Sequence, residues 1–153
     1  RELLHAIPQE YRVAKADGIR DPLGMIGTRL ETEMYLVTIG SSPAMNLRKA
    51  IERAGYRTRE LVLEPLASAL AVLTEEEKEL GVVLVELGAG TTDLAVFHEG
   101  KIRHLGTIPF GGNTVTSDLV QGLGITQHDA EQIKDAYGCA YEPLIDPQQV
   151  IAM

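Results

Sequence analysis

Cysteine occurs once in these 153 residues, at Cys139, so no internal disulfide can form, and the neighbours of that thiol supply no metal-ligand cluster. A reducing compartment is the simpler expectation. Positive charge is also in short supply: 14 Lys and Arg stand against 22 Asp and Glu, a net charge of −8. That balance argues against a nucleic-acid-binding surface and leaves no polybasic patch for anionic lipid. No run approaches the ~18 unbroken apolar residues of a membrane span, and the N-terminus lacks the apolar core of a signal peptide. An initiator methionine is missing too, and the chain stops at Val150-Ile151-Ala152-Met153 as an apolar segment begins. A piece of a longer protein is therefore expected. What is present is ample apolar material, 44% of the residues, for one or two compact units.

The most informative stretch is Val82–Phe97, VVLVELGAGTTDLAVF. Strand-forming Val82–Leu87 runs into Gly88-Ala89-Gly90-Thr91-Thr92-Asp93, Leu94–His98 alternates again, and Glu99-Gly100 turns tightly into Lys101–Thr107. Two glycines let backbone N–H groups approach a ligand closely, and two threonines add hydroxyl donors, a combination that suits phosphate oxygens. Asp93 would repel a bare phosphate, so its carboxylate makes sense with a water-coordinated divalent cation between them. The chemistry suggested is a nucleotide with magnesium; the alternative is a plain hairpin bend.

Before this stretch, Leu3–Val13 is strand-like but interrupted by Pro8, which predicts an edge or bulged strand. Asp17-Gly18 and Asp21-Pro22-Leu23-Gly24 predict turns, and Leu30–Ile39 a strand, its apolar second half suiting a central position. Ser42-Pro43 has the form of a capped helix start, with Ala44, Leu47, Ala50, Ile51 and Ala54 on one face and Gly55 placed to end it. Arg48, Lys49, Glu52 and Arg53 form its charged, solvated face. Tyr56–Leu63 is expected to return as a strand. Strands with one covering helix make a small α+β unit. Glu64-Pro65 opens a helix to about Leu73, and Thr74-Glu75-Glu76-Glu77 has capping-box form.

Gly111-Gly112-Asn113 precedes a helix expected from about Thr114 to Leu123, whose N-terminal donors and dipole favour an anion; a simple turn with Asn113 as cap is the alternative. Thr126 and Asp129 begin another helix ending at Tyr137-Gly138. On it, Glu131 and Lys134 share a face, which by itself describes a surface ion pair.

The ordered set Glu64-Pro65-Leu66-Ala67-Ser68-Ala69, Glu86–Asp93, Gly111-Gly112-Asn113 and Glu131-x-x-Lys134 resembles the ATPase core shared by actin, heat-shock chaperones and sugar kinases. Within that superfamily, Ile7–Tyr11, Asp21–Met25, Arg29-Leu30-Glu31 and Ala136–Ala140 resemble the FtsA family of bacterial division proteins, over nearly the whole chain. The resemblance implies an α/β fold class: an α+β insertion plus part of an actin-like ATPase domain with a mixed sheet. It implies residues 1–7 as the end of subdomain 1A, 8–61 as the inserted module called 1C, and 62–80 as the return to 1A. Residues 81–112 would be the strands and phosphate loop of subdomain 2A, and 113–153 the start of 2B.

By the same resemblance, Gly88, Ala89, Gly90, Thr91, Thr92, Gly111, Gly112 and Asn113 lie about the nucleotide, and Glu131 and Lys134 face the ribose and adenine. Glu86 and Asp93 would hold Mg2+ through water, and Glu64 would orient an attacking water. Glu64 is equally suited to the first turn of a helix. Glu86 departs from the family's usual aspartate; its extra methylene moves the carboxylate about 1.5 Å, which places metal geometry and hydrolysis in question. Only half of a two-sided ATP site is present, so ATP and Mg2+ binding belong to the intact protein. The implied function is that of an ATP-binding, filament-forming adaptor tethering the FtsZ ring to the membrane, with turnover weak or absent. Its implied partners are itself, FtsZ and other divisome proteins, with no nucleic acid and with membrane contact only through a segment outside this chain. It would work on the cytoplasmic face of the inner membrane at the septum. A true ATPase of the superfamily, chaperone-like or kinase-like, and a pilus-assembly adaptor are the rivals.

Overall fold

The computed structural model describes residues 1–151. Among the described residues, three strands, three α-helices, three more strands and two more α-helices follow in order: β1 Glu2–Val13, β2 Ala16–Ile19, β3 Leu30–Ile39, α1 Ser41–Arg53, α2 Glu64–Val72, α3 Glu75–Leu80, β4 Val82–Leu87, β5 Thr92–His98, β6 Lys101–Ile108, α4 Gly112–Leu123 and α5 Gln127–Tyr137. The fold class is α/β, with one antiparallel three-stranded sheet ordered β2-β1-β3 and a second ordered β4-β5-β6. The chain divides into two compact units. One comprises Arg1–Leu84 with Leu94–Gly106, and the other Val85–Asp93 with Thr107–Met153.

In the first unit, β1 pairs with β3 from Glu2 opposite Ile39 to Val13 opposite Leu30, with the register shifting between Pro8 and Glu10. Pro8 therefore sits at a bulge, and β2 reaches β1 only at Tyr11 and Val13, so the missing proline N–H interrupts no second ladder. Three expectations change here. β1, not β3, is the central strand; β3 is at an edge. Asp17 and Gly18 lie within β2, because the preceding turn at Ala14-Lys15 folds this short segment back onto β1, Ala14 taking a positive φ of 54°. Tyr56–Leu63 forms no strand, since Arg57, Arg59 and Glu60 break any apolar face and no strand pairs with the segment; Leu63 N–H instead donates to His5 Nε2 at 3.0 Å. Helix α1 starts at Ser41 behind Gly40 and has no side-chain cap, while Gly55 ends it at φ +86°.

Ala69 of α2 packs with Ala95 and Phe97 of β5 and Ile102 of β6, and Ile7, Tyr35, Leu66, Leu73, Val82, Leu84 and Leu105 close around them. Tyr35 contributes a polar tie as well, its hydroxyl accepting from Leu105 N–H at 3.2 Å. The Thr74–Glu77 capping box forms as its spacing predicts: Thr74 Oγ1 accepts from Glu77 N–H, and Glu77 Oε2 accepts from Thr74 N–H at 2.8 Å. The bond from Thr74 N–H, and then one donated by the Thr74 hydroxyl to the same Oε2 at 2.9 Å, hold the Glu77 carboxyl below the usual carboxylate range. The tight turn between β5 and β6 has positive φ at both Glu99 (54°) and Gly100 (71°), as a two-residue hairpin needs.

Candidate functional site

All the residues implied as nucleotide- and metal-binding fall in the second unit, and Glu64 alone lies in the first. Glu64 is the first residue of α2, where a carboxylate meets the positive end of the helix.

The glycine-rich bend after β4 is closed by Gly88 N–H donating to Thr91 O at 2.9 Å. Ala89 and Gly90 form its exposed tip, and a Cβ at Gly90 would meet nothing within 4 Å, so the backbone there is open to approach. Asp93 follows with both carboxylate oxygens engaged: Oδ2 accepts from Thr91 Oγ1 at 3.0 Å and Oδ1 from Thr107 Oγ1. Each oxygen keeps a further acceptor direction. Thr92 turns its hydroxyl onto Phe110 O at 2.8 Å, bracing the bend against the segment before α4. Glu86 is half-buried near the end of β4.

The second glycine pair does something its sequence did not disclose. Gly112 N–H donates to Gly88 O at 3.0 Å and Asn113 N–H to Ala89 O at 2.7 Å. Two of the four donors that a helix leaves without an internal partner are therefore taken by carbonyls of the first bend and are not open to an anion. Gly111 is the N-cap in place of Asn113, and α4 begins two residues before Thr114. A Cβ at Gly111 would lie 2.5 Å from Gly88 O and 2.7 Å from Ala89 O. Its φ of −162° is ordinary extended backbone, so glycine is needed there for closeness alone.

On α5, Lys134 Nζ lies 2.6 Å from Glu131 Oε1, and both reach back to α4. Lys134 Nζ donates to Thr116 Oγ1 at 2.9 Å, and the Thr116 hydroxyl sits 2.6 Å from Glu131 Oε2 and 3.1 Å from Gly112 O. The hydrogen bonds from Lys134 and then Thr116 hold the Glu131 carboxyl below the usual carboxylate range. The expected surface pair is thus a network anchored on Thr116, which is only 2% exposed. Thr116 was not among the residues singled out from sequence; the signal available was its position four residues after Gly112, where a helical threonine can bond the i−4 carbonyl.

Among the described residues no three His, Cys, Asp or Glu side chains converge as a metal cage. A divalent cation would find one aimed carboxylate in this unit, that of Asp93, and would need further oxygen ligands such as those of a phosphate. Nor is any helix long and apolar enough among them to cross a membrane.

Three examples illustrate the solved structures that share this architecture. They are the ethanolamine utilization protein EutJ from Carboxydothermus hydrogenoformans (TM-score 0.54, 31% identity, 65% of this chain and 35% of that one), MreB 5 of Spiroplasma citri bound to AMPPNP (0.56, 24%, 68% and 33%), and the PilM-PilN type IV pilus biogenesis complex (0.63, 19%, 87% and 38%). The fold is of the actin-like class. Residues 83–153 match the family model for cell division protein FtsA, and residues 1–38 the model for the SHS2 domain inserted in FtsA. Cell division protein FtsA of Pseudomonas aeruginosa is 44% identical over 99% of this chain, that of Escherichia coli K12 42% over 97%, and that of Neisseria meningitidis serogroup B 45% over 92%. The chain belongs to the FtsA family. It spans about a third of the length of these relatives, 34–36%.

Proposed function

We propose that this chain supplies one wall of the ATP site of an actin-like cell-division protein, together with an inserted interaction module. The observation that carries it is the convergence of three separated motifs: the Gly88–Asp93 bend, Gly111-Gly112-Asn113, and Glu131 with Lys134 are joined by direct hydrogen bonds in one unit. An open glycine tip, hydroxyls and one cation-accessible carboxylate suit phosphates carrying Mg2+. A carboxylate on the neighbouring helix suits a sugar. MreB 5, with the same fold, binds AMPPNP.

In the full-length protein, residues 8–61 act as the 1C-like module, 62–80 as the return to 1A, 81–112 as 2A and 113–153 as the start of 2B. ATP is mainly a structural ligand, and turnover is weak or absent, with Glu64 as the water-orienting residue. The protein polymerises, tethers the FtsZ ring and recruits other divisome proteins. It meets the membrane through a segment outside this chain, on the cytoplasmic face at the septum.

One phosphate turn and one sugar-facing carboxylate make an open half-site, while small-molecule sites enclose most of their ligand. Calorimetric titration of this chain alone with Mg-ATP should therefore give weak or no binding, whereas the full-length protein should bind. Low-micromolar or tighter affinity for the isolated chain would refute the half-site, and no binding by the full-length protein would refute the nucleotide role.

A further inference from the structure

We infer that Thr116 is a positioning residue for the sugar side of the site: with Lys134 it holds the Glu131 carboxylate as the acceptor for a nucleotide ribose hydroxyl. The inference rests on the nucleotide role proposed above.

The proton inventory carries it. The Lys134 ammonium has three N–H donors. It faces three acceptors, Glu131 Oε1 at 2.6 Å, Thr116 Oγ1 at 2.9 Å and Gly112 O at 3.5 Å. The Thr116 hydroxyl accepts from Lys134 and has one proton to give, and Glu131 Oε2 at 2.6 Å is nearer than Gly112 O at 3.1 Å. Each oxygen of Glu131 thus receives one bond and retains an acceptor direction. The Glu131 side chain is 45% exposed and that of Lys134 21%, so the accessible group is the carboxylate and the cation's protons are committed within the protein. An acceptor bearing negative charge and no proton takes hydroxyl donors and repels phosphate, which points to the sugar. Thr116 is too buried to touch a ligand and acts through Glu131. Gly112 ties the same network to the phosphate turn, since its own N–H is bonded to Gly88 O.

The test compares Mg-ATP, its 2′-deoxy and 3′-deoxy analogues, and Mg-tripolyphosphate on the full-length protein by calorimetry. Wild type should prefer ATP over at least one deoxy analogue by about tenfold, the worth of one hydrogen bond to a charged acceptor. Thr116→Val should lose that preference while tripolyphosphate affinity stays unchanged, and Thr116→Ser should keep it. Retained preference in Thr116→Val, or equal loss of all four ligands, overturns the positioning role while leaving the nucleotide role standing. Wild type that binds none of the four overturns both. Should Thr116→Val not fold, Glu131→Gln must lose the preference, and a Glu131→Gln protein that keeps it overturns the inference.

Discussion

Gly112 donates its backbone N–H to the carbonyl of Gly88, 3.0 Å away, across 24 residues of chain (112 minus 88), so the helix start is built against the glycine-rich bend after β4. The contact turns two weak glycine motifs into one structure, and its energetic consequences separate cleanly by position.

Gly111→Ala should destabilise the protein by about 1–3 kcal/mol, the usual cost of forcing atoms into a packed site. The added Cβ meets backbone oxygens at 2.5 and 2.7 Å, and backbone cannot yield as a side-chain tip can. Gly90→Ala has nothing within 4 Å to strike, so its stability should stay within about 0.5 kcal/mol of wild type. Yet it should weaken triphosphate binding by crowding the open tip. Urea unfolding and titration of the full-length protein distinguish the two, and equal stability losses would remove the special status of Gly111.

Asp93 has its carboxylate aimed by Thr91 and Thr107. Asp93→Ala in the full-length protein should therefore cost more ATP affinity in magnesium than in EDTA, because its proposed role runs through the cation. Glu86→Asp, which withdraws the carboxylate by one methylene, should raise turnover if that length limits metal geometry. If magnesium and EDTA give the same loss, Asp93 leaves the metal site and its hydroxyl clamp is a strand-end brace only.

The motifs were legible in sequence because each uses residues whose backbone or charge is distinctive, as with the glycines, Asp93 and the Glu131-x-x-Lys134 spacing. Their mutual arrangement was not. Gly111 looked like an anion-binding helix start, and nothing local reveals that the donors of Gly112 and Asn113 are taken by a segment more than twenty positions earlier. Thr116 was silent because a threonine within a helix is unremarkable until its burial is known. In the first unit, the capping box and the Glu99-Gly100 turn were readable because their partners are local. Strand partners are not local, which is why β2 was missed, Tyr56–Leu63 was over-assigned, and β3 proved to be an edge.

The Glu131 carboxyl sits below its ordinary value of 4.5 because the folded state alone supplies Lys134 and Thr116 as partners. A depressed folded value means that the unfolded chain binds the proton more tightly. The stabilisation is accordingly complete above the ordinary glutamate range and is lost as pH falls through the lower, folded value. Wild type should lose more unfolding stability between neutral and acid pH than Glu131→Gln, whose amide does not titrate in that range. Parallel stability curves for the two proteins would show that the network contributes nothing to pH dependence.

The charged face of α1, Ser41–Arg53, lies within the proposed interaction module. Arg48 is engaged within the protein, its guanidinium 2.9 Å from Glu2 Oε1, so reversing it would break a tie between α1 and β1 and confuse folding with recognition. Lys49 and Arg53 are exposed on the same helix and have no ion pair among the described residues. Surface changes of this kind ordinarily alter stability by less than about 0.5 kcal/mol. Lys49→Glu with Arg53→Glu in the full-length protein should therefore leave unfolding stability and ATP affinity intact. If residues 8–61 make filament contacts, the same pair should reduce assembly on lipid, seen by sedimentation or electron microscopy, and high salt should shrink the difference from wild type because exposed charges are screened. A variant that assembles normally would restore the view of this face as merely solvated, and one that loses ATP binding instead would overturn the separation between the module and the nucleotide site.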